Sequence, residues 1–236
     1  MKDTRDLILY KNFEYHRLFS DFVWIMENYR SEYYNPDDIR ALYYECMNGL
    51  IELAVSHGFE GNLWHCFLAF IMVNHENAYS TACERKGLVE GTINQVACHD
   101  FQILKELFDY DFKDMLETLG ADGLNAIEHY RGINGNSKVF NRRIKDRICE
   151  LAIHLKQART AEEFQGTVTE FYRDFGVGNL GLHKAFYLSH SEEGAPILEP
   201  VTRIAHVKLS DLVGYEAAKK KLTDNTEAFV DGKPAN

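Results

Sequence analysis

Two neighbouring imidazole–thiol pairs, His65-Cys66 and Cys98-His99, are the residues in this chain whose types most suggest chemistry. Four such groups could bind zinc if they converged. Adjacent residues on a helix point about 100° apart, so each dipeptide offers one good ligand rather than two. Both pairs read instead as core cysteines beside half-buried histidines. The chain has five cysteines, and the nearest two, Cys83 and Cys98, lie 15 positions apart. No Cys-x-x-Cys pair exists for a zinc ribbon or a redox motif. Most of the thiols sit among apolar residues, where a reduced cysteine acts as a small hydrophobe. His75-Glu76 lacks the second histidine of a zinc-peptidase helix, and no nucleophile elbow is present. Asp37-Asp38 and the pair Asp109 and Asp111 lie in polar surroundings and read as cap or surface acids. These residues specify neither a catalytic group nor a metal site.

Gly176-Val177-Gly178-Asn179-Leu180-Gly181 matches Gly-x-Gly-x-x-Gly. The dinucleotide fingerprint requires a strand before the glycines and a helix after them, so that a pyrophosphate meets a helix N-terminus. Here a helical pattern precedes and an extended one follows. The expected role is a helix stop in which glycine supplies left-handed backbone.

The elements that hold these residues are mostly helices. The 236 residues are 45% hydrophobic with only 4 prolines, enough for a core and unlike a disordered chain. The longest strongly apolar run, Cys66 to Val73, is far short of the roughly 20 residues of a membrane helix. The charged N-terminus has no apolar signal core behind it. The expectation is a cytoplasmic protein with no membrane contact. A net charge of −10 disfavours nucleic acid as a partner. One basic segment, 141–159, holds Arg142, Arg143, Lys145, Arg147, Lys156 and Arg159 against Asp146 and Glu150. Its apolar stripe Phe140, Ile144, Ile148, Leu151, Leu155 predicts a helix with one buried face and the arginines on the wet one.

Leu18, Phe22, Ile25, Met26 and Tyr29 predict a first helix. Asn35-Pro36 opens a second, reaching His57-Gly58, by a cap residue followed by proline at the first helical position. A third is expected from about Asn62 to Lys86, apolar nearly all round at Leu63 to Val73 and therefore central. Gly87 and Gly91 interrupt the pattern. Phe101, Leu104, Leu107 and Phe108 resume it, and a short helix follows through Met115 to Leu119. A further short helix is expected between Gly120–Gly123 and Gly132–Gly135. Thr160-Ala161-Glu162-Glu163 is a capping box opening a helix to Phe175. Beyond it come a loop at Gly176 to Gly181 and extended chain at Leu182 to Ser189 and Ala195 to Leu209. Pro196 and Pro200 confine any strand there to an edge. A last helix spans about Tyr215 to Val230. The fold class is mainly α: a multi-helix bundle over 1–175, an extended arm over 176–209 able to close as a β-hairpin, and a C-terminal helix within 210–236.

That last segment is the informative one. Lys208-Leu209-Ser210-Asp211-Leu212-Val213-Gly214-Tyr215-Glu216 leads into a helix and then into Lys233-Pro234-Ala235-Asn236. The polar-Asp-Leu-Val-Gly-aromatic-Glu box, the helix and the Pro-Ala-Asn turn resemble the lead-in to an AAA+ ATPase module. The match is similar to a little-characterised bacterial AAA+ family, described as a domain of unknown function with an expected ATPase activity. It is specific over 205–236 and looser back to Phe171. The resemblance implies that a strand and a Gly-x-x-x-x-Gly-Lys-Ser/Thr phosphate loop follow the turn. It also implies that backbone at Val213 and Gly214 lies against adenine, with Tyr215 as a neighbour, and that ATP and Mg2+ are cofactors of the full-length protein.

No Gly-x-x-x-x-Gly-Lys-Ser/Thr occurs in the 236 residues, nor an apolar run ending in Asp-Glu. Without that loop no nest of backbone N–H groups or lysine meets the phosphates, so hydrolysis is not expected from these residues. Two readings follow. In the first, the chain is the N-terminal recruitment or regulatory region of an AAA+ protein, stopping before its core. Its partners are then an unidentified protein client, the ATPase module in cis and, through ring assembly, further copies of itself. In the second, it is a self-contained helical protein–protein interaction domain with no nucleotide role.

Overall fold

A computed structural model of the protein describes residues 3–86, 90–132, 142–183, 185–191, 194–201 and 209–235. It is mainly helical, with a small antiparallel hairpin and a C-terminal helix. A 3-10 turn at Thr4–Asp6 precedes α1 (His16–Asn28) and α2 (Pro36–His57). The Asn35 side chain accepts from Asp37 N with Pro36 in the first turn, and Gly58 ends α2 at φ 77°. The start and stop of this helix are thus local chemistry.

The third expected helix is two. α3 (Leu63–Asn74) stops where His75 turns extended, at ψ 103°. The Asn77 side chain then accepts from the backbone N–H groups of Tyr79 and Ser80 and opens α4 (Ala78–Lys86). An asparagine that can cap competes with helix continuation, and the apolar pattern across 62–86 hid the break. The chain continues through α5 (Thr92–Phe108), α6 (Lys113–Leu119), α7 (Arg142–Gln157) and α8 (Ala161–Phe175). As the capping box requires, Thr160 Oγ1 accepts from Glu163 N at 3.2 Å. The expected helix after Gly120 is only a 3-10 turn, Asp122–Leu124, followed by a bridge pairing Tyr130 with Gly61. Gly87, Gly135, Phe140, Asn141 and Lys184 lie outside the described residues.

Every residue of α3 from Leu63 to Val73 is buried, as its all-round apolarity required. α3 packs on α7 and also meets α2 and α5, while α8 packs on α4, α5 and α7. Trp64 anchors the centre. Its ring stacks on Phe22 at 4.8 Å, and its indole N–H donates to the Leu107 carbonyl at 2.9 Å. Asp100, fully buried on α5, accepts from the backbone N–H groups of Ile8, Leu9 and Tyr10. That carboxylate pins the N-terminal segment to the bundle. Ile144, Ile148, Leu151 and Leu155 are buried on α7 as their spacing predicts. The basic face departs from a plain solvated one at Arg147, whose guanidinium lies 3.8 Å from the centre of the Phe175 ring.

Beyond α8 the expected glycine loop is partly helical: α9 (Gly178–Leu182) follows Gly176 at once. Leu182 therefore ends a helix rather than opening extended chain. β1 (Phe186–His190) and β2 (Pro196–Pro200) then pair antiparallel, Phe186 opposite Pro200 and His190 opposite Pro196. Both prolines close the ends of an edge strand. Residues 202–208, expected to be extended, lie outside the described residues. A 3-10 turn, Leu209–Asp211, and α10 (Glu216–Val230) complete the chain. It divides into two compact units, 1–202 and 203–236.

Candidate functional site

The lead-in box sits between the 3-10 turn and α10. Gly214 has φ +82° and no atom within 4 Å of the position a Cβ would take. Tyr215 follows with φ 60°, also left-handed, and begins α10 without a side-chain cap. Left-handed backbone costs a non-glycine residue about 1–2 kcal/mol. Val213 is 94% and Tyr215 81% exposed. Lys219, one turn into α10, donates to the Leu212 carbonyl and to Glu216 Oε1, fixing the box against its helix. The three expected residues thus form one short, outward-facing turn whose backbone is open on the glycine side. Along α10, Leu222, Phe229 and Val230 are exposed, and no residue of the helix is buried.

The glycine motif has a packing role. Gly176 ends α8 with φ +76°, and a Cβ on Gly181 would lie 2.6 Å from the Gly176 carbonyl carbon. The first and last glycines let two backbone segments touch. A Cβ on Gly178 would meet the Glu76 side chain at 2.9 Å. Glu84 accepts from Val177 N, and Glu14 and Glu76 line the adjoining cleft. Among the described residues, carboxylates face this turn where a pyrophosphate would need N–H groups or cations.

The two imidazole–thiol pairs engage separate backbone partners. His65 donates from Nε2 to the Phe108 carbonyl at 2.8 Å and stacks on that ring, and burial holds its pKa below the ordinary value. His99 donates to the Asp6 carbonyl at 3.1 Å. Among the described residues no three or more His, Cys, Asp or Glu side chains gather to hold an ion.

Folding does bring together a pair that spacing did not indicate. Cys66 on α3 and Cys149 on α7 line one cleft of about 290 Å³ with Glu60, His65, Ile153 and Lys156. The two side chains are close enough to shift each other's pKa, Cys66 upward and Cys149 downward. The Cys66 thiol donates in the direction of the Glu60 carbonyl at 3.5 Å. The only hint in the sequence is that Cys149 directly follows Ile148 of the buried stripe, placing it at the edge of a packed face. Nothing in the spacing of residues 66 and 149 says that α3 is the helix it meets.

A family model described as "Protein of unknown function (DUF815)" matches residues 182–236. The matched stretch takes in β1, β2, the lead-in box and α10. No curated protein matches the chain, and no solved structure does.

Proposed function

We propose that this chain is a recruitment or regulatory region of an AAA+ ATP-binding protein, its helical unit engaging a protein client. Its second unit would lead into the ATPase module. The observation that carries this reading is the conformation of the box: Gly214 and Tyr215 are successive left-handed residues, exposed, with open space beside Gly214. Strained backbone such as that of Tyr215 clusters at functional sites. An open, exposed turn supports the role its resemblance implies, backbone at Val213 and Gly214 approaching an adenine. Tyr215 would flank the base. These residues supply nothing for the phosphates, so Mg2+ and the triphosphate would be held by the phosphate loop of the ATPase module. The exposed Leu222, Phe229 and Val230 of α10 fit the same reading, since an ATPase core offers a surface to cover them.

The test is the reading frame after Asn236, followed by ATP titration of the chain extended through it. The expected result is a strand and a Gly-x-x-x-x-Gly-Lys-Ser/Thr loop directly downstream, micromolar ATP affinity, and about tenfold weaker binding in Gly214→Val, whose β-branched side chain both strains the turn and blocks the base. An immediate stop codon would refute the proposal and leave the second reading, a self-contained interaction domain. ATP affinity in the extended chain that Gly214→Val leaves untouched would remove the box from the site.

A further inference from the structure

Cys66 and Cys149 come from positions far apart in the sequence and meet across the α3–α7 contact, both as free thiols. Cys66 is buried at 3% exposure, whereas Cys149 is half-buried and lines a cleft open to solvent. The arrangement has the two parts of a thiol oxidation site, a reachable sulfur and a second one behind it. We propose that Cys149 is a peroxide-reactive thiol and Cys66 its resolving partner, together forming a reversible disulfide that ties α3 to α7.

The surroundings favour Cys149 as the attacking sulfur. The neighbouring Cys66 side chain, the Glu60 backbone and the Lys145 ammonium each favour its thiolate. These outweigh burial and the Asp146 carboxylate, and they hold its pKa below that of an ordinary thiol. Cys66 is pushed the opposite way, by the same partner and by burial. Of the remaining groups at the cleft, His65 is kept neutral by burial, and Lys156 adds positive charge from α7. Elsewhere burial alone dominates: the Cys46 thiol is pushed up to about 12, and that of Cys83 is raised.

The chemistry balances with hydrogen peroxide as the oxidant. The Cys149 thiolate attacks one peroxide oxygen, the O–O bond breaks, and the departing hydroxide takes a proton to leave as water. The Cys66 sulfur then attacks the Cys149 sulfenic acid. The S–O bond breaks, a second water leaves with the Cys66 proton, and the S–S bond forms. Two thiols lose two electrons, and the peroxide accepts them. A thiol reductant reverses the step by exchange.

The experiment treats the whole purified chain with a small excess of hydrogen peroxide, alkylates what remains and maps the peptides by mass spectrometry. The expected result is loss of two hydrogens and a single 66–149 linked peptide, reversed by dithiothreitol, while Cys98, also half-buried, stays free to be alkylated. In Cys66→Ser, a sulfenic acid on Cys149 should be trapped by dimedone. Without peroxide, iodoacetamide should modify Cys149 about threefold faster than Cys98 at pH 7, its rate falling on acidification with a midpoint below that of an ordinary thiol. A wild-type chain in which Cys98 oxidises as fast as Cys149, or in which no 66–149 link forms, would overturn the proposal. None of these outcomes bears on ATP, so this site stands or falls apart from the proposed function.

Discussion

Asp100 has no exposure and accepts three backbone N–H groups from residues 8–10, so its charge is spent on holding the N-terminal segment. Hydrogen bonds to a charged group are worth about 1.5–3 kcal/mol each, and orphaned buried donors are costly. Asp100→Ala is therefore expected to lose about 3–4 kcal/mol, near the upper end for one substitution. Asp100→Asn, which keeps an acceptor, should lose about half of that. Urea unfolding of both variants measures it. His57 and His65 act in the other direction. Both are buried, and burial lowers the pKa of each. The unfolded chain then binds more protons than the folded one just below the ordinary histidine value of about 6.5. Their contribution to stability is complete above that value and is lost as pH falls from it toward the lowered folded values. The slope is at most about 1.4 kcal/mol per pH unit for each group. Denaturation at pH 7 and pH 5.5 should show the loss, and His57→Phe should make it shallower.

At the scale of elements, the glycines separate two kinds of requirement. Gly181 and Gly176 touch backbone to backbone, with no side-chain end able to move aside. Gly181→Ala is expected to destabilise the α8–α9 turn by about 2–3 kcal/mol, the range for overpacking. Gly214 has open space and only its positive φ to protect, so Gly214→Ala should cost about 1–2 kcal/mol, confined to its own turn. Thermal unfolding of the pair distinguishes them: a large shift for Gly181→Ala and a small one for Gly214→Ala is expected. The motif Gly-x-Gly-x-x-Gly was legible as a helix stop, since residues 161–175 are strongly amphipathic. That the final glycine serves a close approach was not legible, because it depends on α9 folding back. The break between α3 and α4 was hidden for a related reason. Asn77 caps through its own side chain, and the apolar period alone does not register a cap.

Across the whole molecule, the described residues of 209–235 bury nothing, while the core is built from residues 7–182. Removing 203–236 is therefore expected to shift the melting temperature by less than about 2 °C, since a destabilisation of 1 kcal/mol moves a chain of this size by about 2–4 °C. Scanning calorimetry of 1–202 beside the full chain measures this, and a larger drop would mean that the second unit supports the first. Among the described residues no helix is long and apolar enough to cross a membrane.

The amino-acid sequence by itself determined the helical class, the caps at Asn35 and Thr160, the central place of residues 63–73 and the prolines at the hairpin ends. Each of these rests on neighbours within a few positions, where backbone sterics and apolar period act directly. Tertiary structure alone decided that Asp100 holds residues 8–10, that Gly181 meets Gly176, and that Cys66 meets Cys149. Such contacts depend on which helix face packs against which, and side-chain pairing across a bundle leaves no fixed spacing along the chain.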